Sequence, residues 1–151
     1  YVTGIMKNEI AKEKVFQHFY GGMKESEFRL LAENFQKNIL PGIIKESAMV
    51  RIAWHQSQQH DLCVVSASFE PMLNDWCKEQ NMNLLCTKIE FAEGLVTGKF
   101  ASHNCYGTEK VNRIKTAYDM QQYKTIYAYG DSKKGDGAML KLADETFYRL
   151  L

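Results

Sequence analysis

The stretch Tyr127-Ala-Tyr-Gly-Asp-Ser-Lys-Lys-Gly-Asp-Gly-Ala-Met-Leu140 constrains this chain more than any other. A run of β-formers, Thr125, Ile126, Tyr127 and Tyr129, stops at Gly130. Asp131 and Asp136 follow in a short glycine-containing turn, and a helical pattern resumes near Ala138. A strand that ends in acids before a helix puts those acids at the carboxyl edge of a sheet, where ligands of open α/β folds bind. Paired carboxylates there suit a hard cation with oxygen ligands, Mg2+ above all. An isolated Gly-Asp is more often a solvated turn. Two further polar strand ends, in the right order, count against that reading here.

The 151 residues suit one domain, or a core with a small subdomain, and can bury a real core. Net charge is +1, with acids and bases interspersed and no basic stripe, so nucleic acid is not an expected partner. No apolar run approaches the roughly 18 residues of a membrane helix, and no membrane partner is expected. There is no signal-peptide pattern and no internal repeat. Cys63, Cys77, Cys86 and Cys105 lie far apart without a Cys-x-x-Cys pair, and the four histidines are dispersed. Reduced thiols in a cytoplasmic protein are expected, not zinc or a redox pair. The chain begins at Tyr1, inside helical sequence, and reads as a piece of a longer product.

Residues 1–36 are helical in pattern: Ile5, Ile10, Val15, Phe16, Phe19 and Tyr20 recur among Lys and Glu. Gly21-Gly22 breaks the run, and Ser26 is placed to cap a second helix with Phe28, Leu31, Ala32 and Phe35 on one face. Leu40-Pro41-Gly42 marks a boundary, followed by a helix over about 43–60. Asp61-Leu-Cys-Val-Val-Ser66 is an apolar run of the kind buried on both faces of a sheet, ended by Ser66-Ala67-Ser68. Glu70-Pro71 opens another helix. Asn83–Thr87 is a second strand, 89–100 a hairpin turning at Glu93-Gly94, and Asn104-Cys-Tyr-Gly107 a loop. Thr108 is placed to cap a helix with Val111, Ile114 and Ala117, and 124–129 is a third strand. Alternating strands and helices with crossovers of this length imply a mainly parallel, right-handed α/β sheet.

The polar residues at these ends form a set. The Ser66 hydroxyl and the amides of the turn after it suit a phosphate oxygen, although a strand-end serine alone is more often a helix cap. Lys110 lies in the first turn of a helix, where a cation is slightly unfavourable unless an anion faces it. A hydroxyl, a lysine and two carboxylates are the parts that phosphoryl transfer uses. No strand is followed by Gly-x-Gly-x-x-Gly, which argues against a dinucleotide site. Lys133, Gly135 and Leu142 stand where a calcium loop at Asp131 needs oxygen ligands.

The order Val-Val-Ser66, Asn104-Cys-Tyr-Gly-Thr-Glu-Lys110, then Tyr-Gly-Asp131-x-x-x-x-Asp136 resembles the haloacid dehalogenase superfamily, in its phosphoserine-phosphatase-like branch. Each motif is weak alone; three in order, at similar intervals from Leu40 to Leu151, are specific. The resemblance implies a Rossmannoid three-layer α/β core over 40–151, with 1–39 as part of a helical cap. It implies phosphate binding at Ser66, Ala67 and Lys110, catalytic roles for Lys110 and Asp131, and Mg2+ held by Asp131 and Asp136. The expected function is Mg2+-dependent hydrolysis of a small phosphorylated metabolite through an aspartyl-phosphate.

One part of the family pattern is missing. Its first motif, Asp-x-Asp-x-Thr, carries the nucleophile on a strand between those bearing the second and fourth motifs, and no Asp-x-Asp occurs in this chain. Without that strand two buried strands would each keep an unpaired edge. The expectation is a phosphatase whose nucleophile segment lies outside this chain, which alone is inactive. The alternative is a catalytically inactive phosphatase-like binding domain.

Overall fold

The computed structural model describes residues 8–149. Tyr1 and Ile5 lie outside the described residues, as does Leu151. Two helices come first, α1 (Asn8–Tyr20) and α2 (Glu25–Asn34). The turn between them is stitched to the later hairpin: the Gly22 amide donates to the Val96 carbonyl and the Val96 amide to Met23, both at 2.8 Å. Lys24 is the N-cap of α2, so Ser26 falls inside the first turn instead of capping it. The buried face of α1 is also narrower than its pattern suggests. Phe16 is buried against Phe28, Phe69 and Phe100, while Ile10, Val15 and Phe19 stay exposed.

A π-helical turn, Phe35–Ile39, runs directly into α3 (Leu40–Ile43). Leu40-Pro41-Gly42 is therefore helical, contrary to the expected break. Proline in a first turn lacks only an amide that has no partner there, and the chain leaves the helix at Ile44. Helix α4 (Glu46–Ser57) follows. Buried Gln36 joins this segment to the core: its Oε1 accepts the Asp75 and Trp76 amides at 2.9 Å, and its Nε2 donates to the Pro71 carbonyl at 2.9 Å. It thereby satisfies amides at the start of α5 (Asn74–Glu79) that the helix cannot. Leu40 packs beside it with Leu73, Cys77 and Met82.

Strand β1 (Cys63–Phe69) pairs in parallel with β2 (Asn83–Thr87) across α5. It runs past the expected end at Ser66, with an irregular register between Ser66 and Phe69. The hairpin β3 (Ile89–Ala92) and β4 (Leu95–Phe100) turns at Glu93-Gly94 as expected. Helix α6 (Thr108–Ala117) is capped by Gly107, not by the Thr108 side chain. Strand β5 (Tyr127–Gly130) is followed by α7 (Lys133–Leu140) and by β6 (Glu145–Tyr148), which pairs with β5 in parallel and has no counterpart in the sequence reading.

Among the described residues β1 pairs with β2 and β5 with β6, but β1 and β5 do not pair with each other. A groove of about 710 Å³ lies between them, lined by Leu62–Val65 on one side and Ile126–Tyr129 on the other, and Lys110 is part of its wall. His55 lines the same groove and is 5% exposed. Its Nδ1 lies 2.8 Å from His60 Nδ1 and its Nε2 2.9 Å from the Tyr129 hydroxyl. Burial, then the neighbouring His60 and Arg51, lower the His55 pKa from its ordinary value. The unfolded chain therefore binds the extra proton more readily, and His55 contributes stability that is present above its unfolded value, about 6.5, and is lost as pH falls below it. Urea midpoints are expected to drop between pH 7 and pH 5, with a shallower drop in His55→Gln. Identical slopes in the two proteins would refute this.

Candidate functional site

The site is built where the carboxyl end of β1 meets the amino ends of α6 and α7. Gly107, with φ +61°, turns the chain into α6 and donates its amide to the Gly135 carbonyl at 3.0 Å, tying the two helix starts together. A side chain at Gly107 would be strained at that φ. Arg113, one turn after Lys110, fixes α6 from the other side. It bonds the Cys86 carbonyl, Ser102 Oγ at 3.0 Å and the His103 carbonyl at 2.5 Å, and pairs with Glu109.

Lys110 is 7% exposed. Its ammonium donates to Asp136 Oδ1 and to the Val65 carbonyl, both at 2.7 Å. Asp136 Oδ2 accepts the amides of Asp131 (3.2 Å) and Ser132 (3.0 Å). Burial by itself would raise the Asp136 pKa; Lys110 and the Ser132 and Asp131 amides outweigh it and hold the carboxyl below its ordinary range. Asp136 lies inside α7, not in a turn before it, because α7 starts at Lys133. Ser132 caps that helix by accepting the Gly135 amide at 2.9 Å. Gly130 makes the packing possible, since a Cβ there would sit 2.7 Å from Asp136 Cβ.

Ser66 Oγ accepts the Ser68 amide at 3.0 Å, which leaves its O–H free to donate. Asp131 is exposed. Its amide goes to Asp136 and its carbonyl to Arg149, and its carboxylate makes no hydrogen bond or ion pair among the described residues. The structure thus brings Lys110, Asp136 and the β1 backbone next to Ser66 into direct contact, and attaches Asp131 through its main chain.

Three further residues crowd the same strand end. The Ala67 carbonyl accepts from Thr87 Oγ1 at 3.1 Å and from the Lys12 ammonium, and Lys12 also donates to Asn104 Oδ1 at 2.8 Å. Thr87 Oγ1 accepts the Cys105 amide at 3.0 Å. Thr87 and Lys12 have no signal in the sequence: one reads as a strand residue, the other as one more lysine on a charged helix. Burial raises the Cys105 pKa and pushes Cys86 up to about 12, so these thiols stay protonated and are poor nucleophiles.

Among the described residues no group of three or more His, Cys, Asp or Glu side chains could hold a metal ion. Both oxygens of Asp136 are engaged, whereas the Asp131 carboxylate has no described hydrogen bond or ion pair. Mg2+ is commonly held by one or two carboxylates together with substrate phosphate and water, and the exposed Asp131 is joined through its amide to the Asp136 carboxylate that Lys110 also holds.

The α/β fold sets the buried Lys110–Asp136 pair against β1 at the starts of α6 and α7. The family model for haloacid dehalogenase-like hydrolases matches residues 1–141, and the chain belongs to that family. No curated protein sequence matches it. Similar solved structures include a Bordetella pertussis Tohama I protein of unknown function, with TM-score 0.81, 17% identity and 95% of this chain covered. A probable phosphoserine phosphatase from Vibrio cholerae follows at TM-score 0.73, 15% identity and 95% of the chain. A phosphoserine phosphatase with a phospho-aspartyl intermediate analogue has TM-score 0.70, 15% identity and 93% coverage. The chain spans 66%, 42% and 65% of these three proteins respectively. At such identities the likeness is one of fold.

Proposed function

We propose that this chain is the body of a Mg2+-dependent phosphomonoester phosphatase that acts on a small phosphorylated metabolite. The observation that carries the reading is the buried Lys110–Asp136 pair set against β1 beside Ser66, with the Asp131 carboxylate left open. An ammonium has three N–H donors. Two are taken by Val65 and Asp136, and the third meets a phosphoryl oxygen. The Ser66 hydroxyl and the Ala67 amide supply neutral donors to the same group. Asp136 orients Lys110 and is not itself a metal ligand in this reading, whereas Asp131 is. Mg2+ at Asp131 would neutralise phosphate charge and orient the group for in-line attack.

The nucleophile would arrive on a strand laid in the groove between β1 and β5, and attack would give an aspartyl-phosphate that water then hydrolyses. Covalent catalysis of this kind divides one hard step into two easier ones. The helices between Asn8 and Ile39 would act as a cap that sheds water. The four free thiols suit a reducing cytoplasm. A product carrying the Asp-x-Asp strand ahead of this chain is expected to hydrolyse a generic aryl phosphate with Mg2+ and to stop in excess chelator, while residues 1–151 alone show no turnover. Equal turnover with and without chelator would rule out the metal, and no turnover even with Mg2+ would leave the second reading, a phosphate-binding domain without catalysis.

A further inference from the structure

Helix α1 turns a polar edge toward the end of β1. Glu9 Oε1 lies 3.3 Å from His103 Nδ1 and accepts the Asn104 amide at 3.3 Å, and Glu13 Oε2 accepts the Phe100 amide at 2.8 Å. Both acids nearest Lys12 on this edge are therefore committed elsewhere. The Lys12 ammonium meets the Ala67 carbonyl, Asn104 Oδ1, and the rings of Phe69 and Phe100, whose centroids are 4.6 and 5.4 Å away. All of these partners are neutral, and among the described residues Lys12 forms no ion pair. A half-buried cation without an anion is costly. Burial draws its pKa down to about 8, with the Glu9 carboxylate acting in the opposite direction.

The position of this charge gives it a use. Lys110 sits on the Val65 carbonyl and Lys12 on the Ala67 carbonyl, so one ammonium stands on each side of Ser66. Carbonyls two residues apart on an extended strand are separated by roughly 6.6 Å. A phosphoryl group held by Ser66 and Lys110 would bring its ester substituent within reach of Lys12. The Ala67 carbonyl, an acceptor that would suit a substrate ammonium, is already taken by Lys12 and Thr87.

We propose that Lys12 selects the substrate by charge: the site takes phosphomonoesters that carry a carboxylate close to the ester oxygen and rejects those that carry an ammonium there. This rests on the phosphatase reading and adds a substrate class to it. A zwitterionic ester such as phosphoserine would gain little, since its ammonium offsets its carboxylate. Between an effective dielectric of about 20 and the roughly 80 of water, like charges some 5 Å apart repel by enough to change binding roughly fourfold to a few hundredfold.

Three esters with one phosphate linkage and different ends test this: phosphoglycolate, 2-hydroxyethyl phosphate and phosphoethanolamine. In the full-length protein kcat/KM is expected to fall in that order, over roughly one to two orders of magnitude and chiefly through KM. Lys12→Met should collapse the order, Lys12→Arg should keep it, and Lys12→Glu should reverse it. The same ranking in wild type and Lys12→Met would overturn the proposal and leave Lys12 as a pin for α1. If no ester is hydrolysed, aryl phosphate included, the phosphatase reading falls by itself. Calorimetric affinities for the three esters then decide on Lys12: charge-ordered binding that Lys12→Met abolishes upholds its role, and unordered or absent binding overturns it.

Discussion

Replacing Lys110 by methionine is expected to cost about 3–5 kcal/mol of folding stability, the usual cost of stripping one partner from a buried ion pair. Methionine fills the space of the stem, so the loss is electrostatic and not a cavity. It leaves the Asp136 carboxylate among two amides with no cation, and it removes a donor from the Val65 carbonyl. The Asp136 pKa is depressed in the folded protein, so its contribution is present above the unfolded carboxylate range and is lost as pH falls through the folded value. Without Lys110, burial dominates and the folded value rises. The acid limb of the stability profile should then move to higher pH. Lys110→Met/Asp136→Leu should regain part of the loss, because two apolar groups avoid the stranded charge. Urea unfolding at neutral pH measures all three proteins, and a single-variant cost below about 1 kcal/mol would mean that solvent screens the pair. Phosphatase turnover should fall about 10²–10³-fold in both variants, as it does when a preorganised charge is removed.

Why some of this was legible in the sequence follows from where the residues sit. Lys110 lies in the first turn of α6 and Asp131 just after β5, and such places show as an apolar run that stops at a polar residue; Ser66 was picked out by the same signal although β1 runs on to Phe69. The contact between Lys110 and Asp136 spans 26 residues and has no local signature. The start of α7 was hidden because Lys-Lys-Gly-Asp-Gly has low helix propensity. It is fixed instead by the Ser132 cap and by the Asp136 carboxylate gathering two amides. The continuous helix through Pro41 was hidden for the opposite reason: proline reads as a stop, yet in a first turn it costs nothing. Strand β6 is four residues, three of them exposed and with no apolar alternation to announce it, and it pairs along the edge that β5 offers. Lys12 illustrates the limit of pattern reading. In Ala-Lys-Glu-Lys-Val it differs in no way from Lys14, and only the docking of α1 on β1 separates a buried charge from a solvated one.

Asp131→Asn is expected to separate function from folding in the way Lys110→Met cannot. The Asp131 side chain is exposed, and its carboxylate makes no described hydrogen bond or ion pair, while its amide and carbonyl carry the structural contacts. The amide side chain has the same shape, so stability should stay within about 0.5 kcal/mol of wild type, as for a surface change that breaks nothing. Aryl-phosphate turnover in the product with the Asp-x-Asp strand should nonetheless fall on the order of 10³-fold or more, since a neutral amide is a weak ligand for a hard cation and the several kcal/mol of charge stabilisation it anchors are lost. Raising Mg2+ should restore little, because the deficit lies in the ligand's charge. The pairing of unchanged unfolding with lost turnover is the signature to look for. Turnover within tenfold of wild type would mean that Asp131 holds no essential metal, and the phosphate charge would then have to be neutralised by Lys110 and its neighbours without a cation at Asp131.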